Sequence, residues 1–453
     1  MENNKESFIK IISEGYSSKG NSIILGKGKY NNEVVTEATV SIPLKTLNRH
    51  GLIAGATGTG KTKTLQVLAE QLSLNGVPCL LMDLKGDLSG LGAKGDESNT
   101  GILERHTKLG IPFNSQSFPI EFLSLSKENG VRMRATVSEF GPILFSKILE
   151  LNETQESIMS IVFKYCQDKK LPLVDLDDVK KVLQHISDTD AGAEEIKNNY
   201  GAISSTSIGT IIRKIVALEQ QDAAVFFGEP SFDVEDLLQI DKNGHGMLNI
   251  IRLTDIQNKP TLFSTFMLSL LAEIYNTFPE QGDADKPKLA IFIDEAHLIF
   301  NEASKALLDQ IETIIKLIRS KGVGIFFITQ IPGDVPESIL GQLGLKIQHA
   351  LRGFTANDRK EIQKTIENYP TTEFYDADEL ITQLGIGEAF VTALNEKGIP
   401  TPLVCTYFIA PKSRMNILTP EEINTIVSNS DLVKEYNVEI NKDTAYEILS
   451  III

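Results

Sequence analysis

The feature that most constrains the fold is a glycine-rich segment lying between an apolar run and an amphipathic stretch. The segment, Gly55-Ala56-Thr57-Gly58-Thr59-Gly60-Lys61-Thr62, fits the pattern G-x-x-x-x-G-K-[ST] at every position. The run from His50 to Gly55 predicts a buried strand before it. The apolar residues that recur on one helical face after it are Leu65, Leu68, Ala69 and Leu72. Glycines let the backbone curl so that successive N–H groups point inward, and the helix N-terminus adds its positive dipole end. The segment therefore predicts a phosphate-binding loop.

Particular side chains of this loop predict contacts with a nucleotide. We expect Lys61 to reach the β- and γ-phosphates and the Thr62 hydroxyl to ligate Mg²⁺. Lys63, the next residue of the helix, is included in the predicted nucleotide contact. The alternative is a Gly/Thr-rich surface turn before a helix, which the complete match between strand and helix disfavours.

A second predicted site lies where another apolar run ends in two acids. Leu289 to Ile293 predicts a buried strand, and Asp294 and Glu295 follow it directly. Ligands of open α/β sheets bind at the carboxyl ends of the strands. Asp294 therefore suits Mg²⁺, and Glu295 suits a general base that polarises a water for attack on the γ-phosphate. The alternative is a strand that simply ends in polar residues.

Polar residues near neighbouring strands extend the site. Val323 to Ile328 predicts a strand that ends in Thr329 and Gln330, and Gln330 could hydrogen-bond the γ-phosphate or the attacking water. Arg319, at the end of a predicted helix, and Arg352, at the end of another strand, could each neutralise transition-state charge. A solvated surface role is the alternative for all three side chains. Asp83 could lie near the metal or could form a turn.

The order of the predicted elements gives an α/β fold with a mostly parallel sheet. Strand, helix and strand within about 35 residues form a βαβ unit that ends at Asp83. The predicted parts are a short N-terminal helix and β segment (1–45), the first part of an ATPase core (46–130), a helical insertion (131–238), the second part of the core (239–412) and a C-terminal extension (413–453).

Composition excludes several classes of protein. Hydrophobic residues make up 42% and charged residues 23% of 453 residues, the balance of a globular protein with a sizeable core. A net charge of −16 argues against a uniformly basic nucleic-acid binder, though a local channel could still grip DNA. Cys79, Cys166 and Cys405 lie far apart and form no CxxC, so we expect free thiols in a reducing cytoplasm. No apolar run reaches the roughly 18 residues that a membrane span requires, so we expect no membrane partner.

Together these motifs resemble the HerA–FtsK branch of P-loop ATPases, and the similarity is closest to a bacterial family of HerA-helicase-like ATPases. The matching segments are His50 to Thr62, Phe292-Ile293-Asp294-Glu295-Ala296-His297, Ile328-Thr329-Gln330, Asp83-Leu84-Lys85-Gly86-Asp87-Leu88-Ser89-Gly90 and Gln348-His349-Ala350-Leu351-Arg352-Gly353-Phe354-Thr355. The resemblance implies a RecA-like core in a hexameric ring, with nucleotide between subunits and double-stranded DNA in the pore. It also implies that Arg319 acts on the neighbouring subunit.

Two functional hypotheses follow. The first is a Mg²⁺-dependent ATP hydrolase that forms a homo-hexameric motor and moves DNA, with a protein partner such as a nuclease. The second is an ATP-binding switch or scaffold that assembles with a protein partner without translocating DNA. A metabolic kinase is disfavoured, because kinases rarely combine such an acidic strand with a gap of roughly 230 residues between Lys61 and Asp294.

Overall fold

The computed structural model describes residues 2–126, 128–256, 259–282, 284–302, 305–353, 355–440 and 442–452. Within these residues twelve strands form one sheet in the order β2-β1-β12-β11-β10-β3-β9-β8-β4-β7-β5-β6. The strands are β1 (Ser22–Tyr30), β2 (Glu33–Pro43), β3 (Gly51–Ala54), β4 (Cys79–Asp83), β5 (Ile120–Ser124), β6 (Val131–Arg132), β7 (Leu248–Arg252), β8 (Leu289–Ile293), β9 (Val323–Thr329), β10 (Leu345–His349), β11 (Glu388–Ala393) and β12 (Val404–Phe408).

Helices of the described residues cover this sheet. They are α1 (Glu2–Gly15), α2 (Lys61–Leu74), α3 (Thr100–Leu109), α4 (Val137–Ile148), α5 (Glu153–Lys169), α6 (Leu176–Asp188), α7 (Asp190–Asn199), α8 (Ser205–Glu219), α9 (Pro260–Thr277), α10 (His297–Glu302), α11 (Lys305–Ile318), α12 (Glu337–Leu340), α13 (Ala356–Ile366), α14 (Ala377–Gln383), α15 (Pro420–Ser428), α16 (Asp431–Tyr436) and α17 (Ala445–Ile452). None of the described helices is both long and apolar enough to cross a membrane.

The sheet is parallel from β10 through β3, β9, β8, β4, β7 and β5 to β6. The remaining pairs, from β10 through β11, β12 and β1 to β2, are antiparallel. Central strands β8 and β9 are buried along their whole length, which explains why their sequences are continuous apolar runs. The predicted α/β class and mostly parallel sheet are confirmed.

The two larger of three hydrophobic cores among the described residues pack on opposite faces of the sheet, because successive side chains of a strand point to opposite faces. On β8, Leu289, Ile291 and Ile293 belong to the core that contains α9 and α11. Ala290 and Phe292 belong to the opposite core, which contains α1 and α2. The β8 strand that ends at the predicted acids is thus held firmly from both sides.

The stretch from 131 to 238 is mostly helical, as its pattern predicts. Helix α5 begins with a capping box between Asn152 and Gln155, and α6 begins with one between Asp175 and Asp178. The acidic run near 190 forms helix α7. The segments before 45 and after 413 contact the core directly: β1 pairs with β12, and α15 packs near β5. The boundaries of the predicted parts stay predictions.

The C-terminal tail forms helix α17, which is joined to the start of α6. The Ala445 N–H donates to the Pro172 carbonyl, and the Tyr446 N–H donates to a carboxylate oxygen of Asp178. These two bonds satisfy backbone groups at the start of α17, and the Ala445 and Leu449 side chains are buried. Ile453 lies outside the described residues.

The three cysteines, Cys79, Cys166 and Cys405, are buried free thiols, as expected.

Two buried histidines tie elements together through both ring nitrogens. His50 Nδ1 accepts the Ile325 N–H at 3.0 Å, and Nε2 donates to the Ile315 carbonyl at 2.9 Å. His349 Nδ1 donates to the Glu388 carbonyl at 3.0 Å, and Nε2 accepts from Thr64 at 2.9 Å. Both rings must be neutral to make these bonds. Burial lowers the pKa of each to about 4.

The lowered histidine pKa values predict a specific loss of stability in acid. Between pH 6.5 and about 4 the unfolded chain takes up a proton at each histidine while the folded protein does not, so stability is lost as the pH falls. The slope is at most about 1.4 kcal/mol per pH unit for each ring. We expect urea unfolding of His50→Gln and His349→Gln to show a shallower acid slope than the unchanged protein. Equal slopes across this range would contradict the assignment.

Candidate functional site

The glycine-rich segment forms a tight loop between β3 and α2. Gly58 and Gly60 have φ angles of +78° and +113°, which side chains disfavour. Gly55 has a different restriction, since a Cβ there would lie 2.5 Å from the His349 Cβ. Thr57 is exposed beside Gly58, whereas Thr59 is buried and its hydroxyl donates to the Ala56 carbonyl at 2.7 Å. The loop is therefore a fixed backbone cradle with an open tip.

Neighbouring strands hold both ends of this loop. The Gly55 N–H lies 3.1 Å from the Gln330 carbonyl beyond β9. The Ala56 N–H donates to the Ala350 carbonyl beyond β10 at 2.8 Å. At the far end the Thr59 carbonyl accepts the Gly387 N–H at 3.1 Å. The cradle is thus positioned by three separate parts of the chain.

The two lysines of the loop have different partners. Lys61 is buried and folds back, and its ammonium donates to the Gly55 carbonyl at 2.6 Å and the Ala56 carbonyl at 3.2 Å. Burial lowers the Lys61 pKa, and the nearby charge of Lys85 lowers it further. The Lys63 ammonium instead donates to the Met415 carbonyl at 2.5 Å. Thr62 is half-buried at the start of α2.

The two predicted acids lie at the end of β8, within electrostatic range of Lys61. Asp294 Oδ1 accepts the Glu295 N–H at 2.9 Å, and burial raises the Asp294 pKa to about 6. Glu295 adopts a left-handed backbone conformation with φ of +48°. Its Oε2 is buried and lies 3.2 Å from His297 Nδ1 without hydrogen-bond geometry. Left-handed backbone in a residue other than glycine costs free energy and is often found at functional sites.

Lys85 also belongs to this cluster, and the sequence assigned it no role. Its ammonium forms a short ion pair with Glu295 Oε1 and lies 4.0 Å from Asp294 Oδ2. Asp83 accepts the N–H groups of Gly86, Asp87 and Leu88 at 2.7, 3.1 and 3.1 Å. Asp83 therefore forms the turn that carries Lys85.

A pocket that the sequence did not reveal lies beside the first turn of α2. Its volume is about 210 Å³, and its walls are mainly apolar. The residues that line it include Gly60, Lys63, Ile102, Arg105, Ile386, Phe408 and Met415. The Arg105 guanidinium donates to the Ile386, Gly387 and Phe408 carbonyls and lies over the Tyr407 ring. Such a pocket next to a phosphate cradle fits the flat face of a nucleoside base.

The segment that closes this pocket is fixed to α2 by a buried acid. Glu70 accepts the Lys412 N–H at 2.8 Å and the Ser413 N–H at 2.9 Å. Burial raises the Glu70 pKa to about 7, and these hydrogen bonds oppose the rise. No local sequence pattern indicates contacts between residues that lie more than 340 positions apart.

The remaining predicted side chains lie at two different ends of the sheet. Gln330 follows β9 at the carboxyl edge, next to the loop, and its side chain is exposed. Arg352 is exposed at the same edge; β10 ends at His349, three residues before it, earlier than expected. Arg319 follows α11 at the opposite edge, where it is exposed. Partial burial of its guanidinium and the nearby charge of Arg49 lower its pKa. Phe354, in the same motif as Arg352, lies outside the described residues.

The available oxygen ligands fit a magnesium ion carried by a nucleotide. No group of three or more His, Cys, Asp or Glu side chains suited to hold a metal ion occurs among the residues described. Mg²⁺ usually keeps several waters and takes one or two protein oxygens together with phosphates. The Thr62 hydroxyl and the Asp294 carboxylate meet this requirement. A cation would also offset the cost of burying Asp294, which is visible in its raised pKa.

Solved structures with low sequence identity share the fold. The bacterial conjugative coupling protein TrwBdeltaN70 superposes with a TM-score of 0.57 at 14% identity, covering 90% of this chain and 93% of that one. Plasmid coupling protein TrwB in complex with a non-hydrolysable ATP analogue gives a TM-score of 0.54 at 15% identity, with coverages of 89% and 99%. The predicted RecA-like P-loop core is confirmed.

Curated relatives match over much of the chain. The DNA double-strand break repair helicase HerA of Sulfolobus acidocaldarius is 20% identical over 365 residues, which are 80% of this chain and 66% of that protein. The DNA import protein CedB of the same organism is 24% identical over 362 residues, which are 80% of this chain and 52% of that protein. The chain thus spans between about half and two thirds of the length of these relatives. A family model described as Helicase HerA-like C-terminal matches residues 29–452. Because this match covers almost the whole chain, the protein belongs to the HerA-like C-terminal family of P-loop NTPases.

Proposed function

We propose that the protein is a Mg²⁺-dependent ATPase that acts on DNA as a ring-shaped motor. The observation that carries the proposal is the position of Glu295, whose buried Oε2 accepts no hydrogen bond within the described residues and whose carboxylate acts electrostatically on Lys61 of the phosphate loop. A carboxylate oxygen in that position can take a proton from a water that attacks a bound γ-phosphate.

ATP would lie along the loop with its base in the adjoining pocket. Backbone N–H groups that follow Ala56 in the loop would bind the phosphates, and Lys61 would leave its own loop carbonyls to reach the β- and γ-phosphates. The nucleoside would rest between Lys63 and the apolar wall formed with Phe408. Mg²⁺, held by Thr62 and Asp294, would neutralise phosphate charge. Gln330, exposed at the same edge, would contact the γ-phosphate or the water.

In a ring, a neighbouring subunit would supply an arginine to neutralise transition-state charge at the site. Arg319 lies at the edge opposite its own phosphate loop, so we assign it to the site of a neighbour in a homo-hexamer. Arg352 lies at the sheet edge that carries its own phosphate loop and is the alternative residue to neutralise transition-state charge.

The three buried free thiols support a reducing cytoplasm as the location of the protein.

The relatives support DNA as the substrate, since HerA and CedB are named for DNA repair and DNA import. The net charge of −16 then requires the DNA path to be a local stripe inside the assembly. A protein partner such as a nuclease is part of the proposal, and a nucleotide-driven switch without translocation is its alternative.

Replacing Glu295 by Gln should nearly abolish ATP hydrolysis while ATP still binds. The amide keeps the shape of the side chain but cannot accept the proton, and loss of a general base lowers the rate by about 10²–10⁴-fold. Phosphate release and binding of a fluorescent ATP analogue would measure the two properties. Glu421→Gln, an exposed change on α15, is the matched control. Undiminished turnover in Glu295→Gln would remove Glu295 from the mechanism.

Replacing Arg319 by Ala should also abolish hydrolysis with little change in nucleotide affinity. Loss of a finger costs about 10³-fold or more in rate. Because the finger and the base of one site belong to different subunits, mixing Arg319→Ala with Glu295→Gln protein should restore part of the activity. Arg213→Ala, an exposed change on α8, serves as the control. Absence of rescue at every mixing ratio would exclude action across subunits.

Double-stranded DNA should stimulate the ATPase, and its binding should require assembly. With a net charge of −16, a lone subunit should bind DNA weakly and with strong salt dependence. Sedimentation of labelled DNA with and without an ATP analogue, beside ATPase rates with and without DNA, would measure both effects. Tight binding by a monomer would contradict the ring channel, and an unchanged rate would favour the switch.

A further inference from the structure

The ammonium of Lys85 lies between the two carboxylates at the end of β8. It pairs with Glu295 Oε1 and lies 4.0 Å from Asp294 Oδ2. The register of the strands brings Lys85 close to the two carboxylates, since β4 and β8 are parallel neighbours that pair Met82 with Ile293. Lys85 and Glu295 therefore follow adjacent strands at the same sheet edge. Attraction to both carboxylates outweighs burial and raises the Lys85 pKa.

The backbone that carries Lys85 is held in place. The buried Asp83 carboxylate accepts three successive N–H groups of the turn, and Gly86 provides the left-handed position with φ of +76°. A surface lysine on a loose loop would sample many positions. This turn instead directs Lys85 toward Asp294 and Glu295.

Exposure differs sharply across the cluster. The Lys85 side chain is 42% exposed, whereas those of Asp294 and Glu295 are 6% and 11% exposed. The lysine can therefore withdraw into solvent without disturbing a packed core, and the carboxylates cannot. The pair also fixes the orientation of Glu295, because Oε1 is engaged while Oε2 accepts no hydrogen bond from a described residue.

We propose that Lys85 is a positioning residue that holds Glu295 in a resting orientation and is displaced when the nucleotide brings its divalent cation to Asp294. This inference rests on the proposed function. Two cations held against the same pair of carboxylates repel each other, and the repulsion is larger at a half-buried site than in water. The ammonium and the incoming ion therefore compete, and release of Lys85 frees Glu295 to orient a water. Escape from the resting pair then limits turnover when DNA is absent.

The competition can be measured without nucleotide or hydrolysis. Thermal unfolding would be followed while MgCl₂ is titrated into the unchanged protein, Lys85→Met and Lys85→Arg. A ligand that binds only the folded state raises the free energy of unfolding by RT ln(1 + [L]/Kd), so tighter binding shows at a lower ligand concentration. We expect Lys85→Met to respond at a Mg²⁺ concentration about five- to tenfold lower. Lys85→Arg should behave as the unchanged protein, and adding Asp294→Asn to Lys85→Met should remove the response.

Steady-state kinetics supply the second measurement. Without DNA, Lys85→Met should raise kcat by about three- to tenfold, with KM for ATP changed by less than about twofold. The ratio of DNA-stimulated to basal rate should fall accordingly, and Lys85→Arg should restore both values. Lys108→Met, an exposed change on α3, is the matched control. If Lys85→Met fails to fold, Lys85→Gln replaces it.

The outcomes separate the possibilities. A fall in kcat comparable to that of Glu295→Gln would overturn the proposal, because Lys85 would then act on the reacting phosphate. An unchanged Mg²⁺ response would also overturn it. Failure of the proposed function is distinguishable, since an inactive protein, or one in which Glu295→Gln hydrolyses normally, would still show the Mg²⁺ shift.

Discussion

The site depends on where the chain places its backbone hydrogen-bonding groups at the carboxyl edge of the parallel sheet. Buried N–H groups require partners. Gly55 and Ala56 meet this requirement at once, by bonding to carbonyls that follow β9 and β10. The Thr59 N–H lies 3.4 Å from the Ala56 carbonyl, and the left-handed Gly58 and Gly60 give the rest of the loop the backbone shape of an anion cradle. The two strands that flank β3 thus fix the start of the cradle, and α2 continues from its end.

The sequence was sufficient to predict those parts of the site that are formed by residues consecutive in the chain. An apolar run followed by Gly-rich or acidic residues predicts a strand end, and β3 and β8 were found in this way. His349, Lys85 and Arg105 were assigned no role because their partners are distant in sequence; His349 and Thr64 are separated by 285 residues. Strand β5 was missed because Glu121 interrupts its apolar run, although that side chain is buried and burial raises its pKa to about 7.

The net charge of the protein does not describe the charges at the sheet edge. The overall excess of acids excludes a uniformly basic surface, yet the cluster at the sheet edge contains lysines and carboxylates held close together. Burial is the largest cause that raises the pKa of Asp83 to about 7 and that of Asp294 to about 6. Hydrogen bonds to the turn satisfy Asp83, whereas Lys85 partly neutralises Asp294. The first acid therefore serves the backbone and the second remains available to a cation.

The direction of β9 separates two predicted roles. Gln330 follows its carboxyl end and Arg319 precedes its amino end, with the seven residues of Val323–Thr329 between them. At about 3.3 Å per residue the strand alone spans roughly 23 Å, farther than an arginine side chain reaches. Arg319 therefore cannot complete the site that contains its own Gln330. His50, the residue directly before β3, fixes this opposite edge. Its ring hydrogen-bonds both to Ile315 near the end of α11 and to Ile325 in β9. An exposed arginine on the far edge of a subunit is suited to the site of an adjacent subunit, which is the arrangement that a closed ring provides.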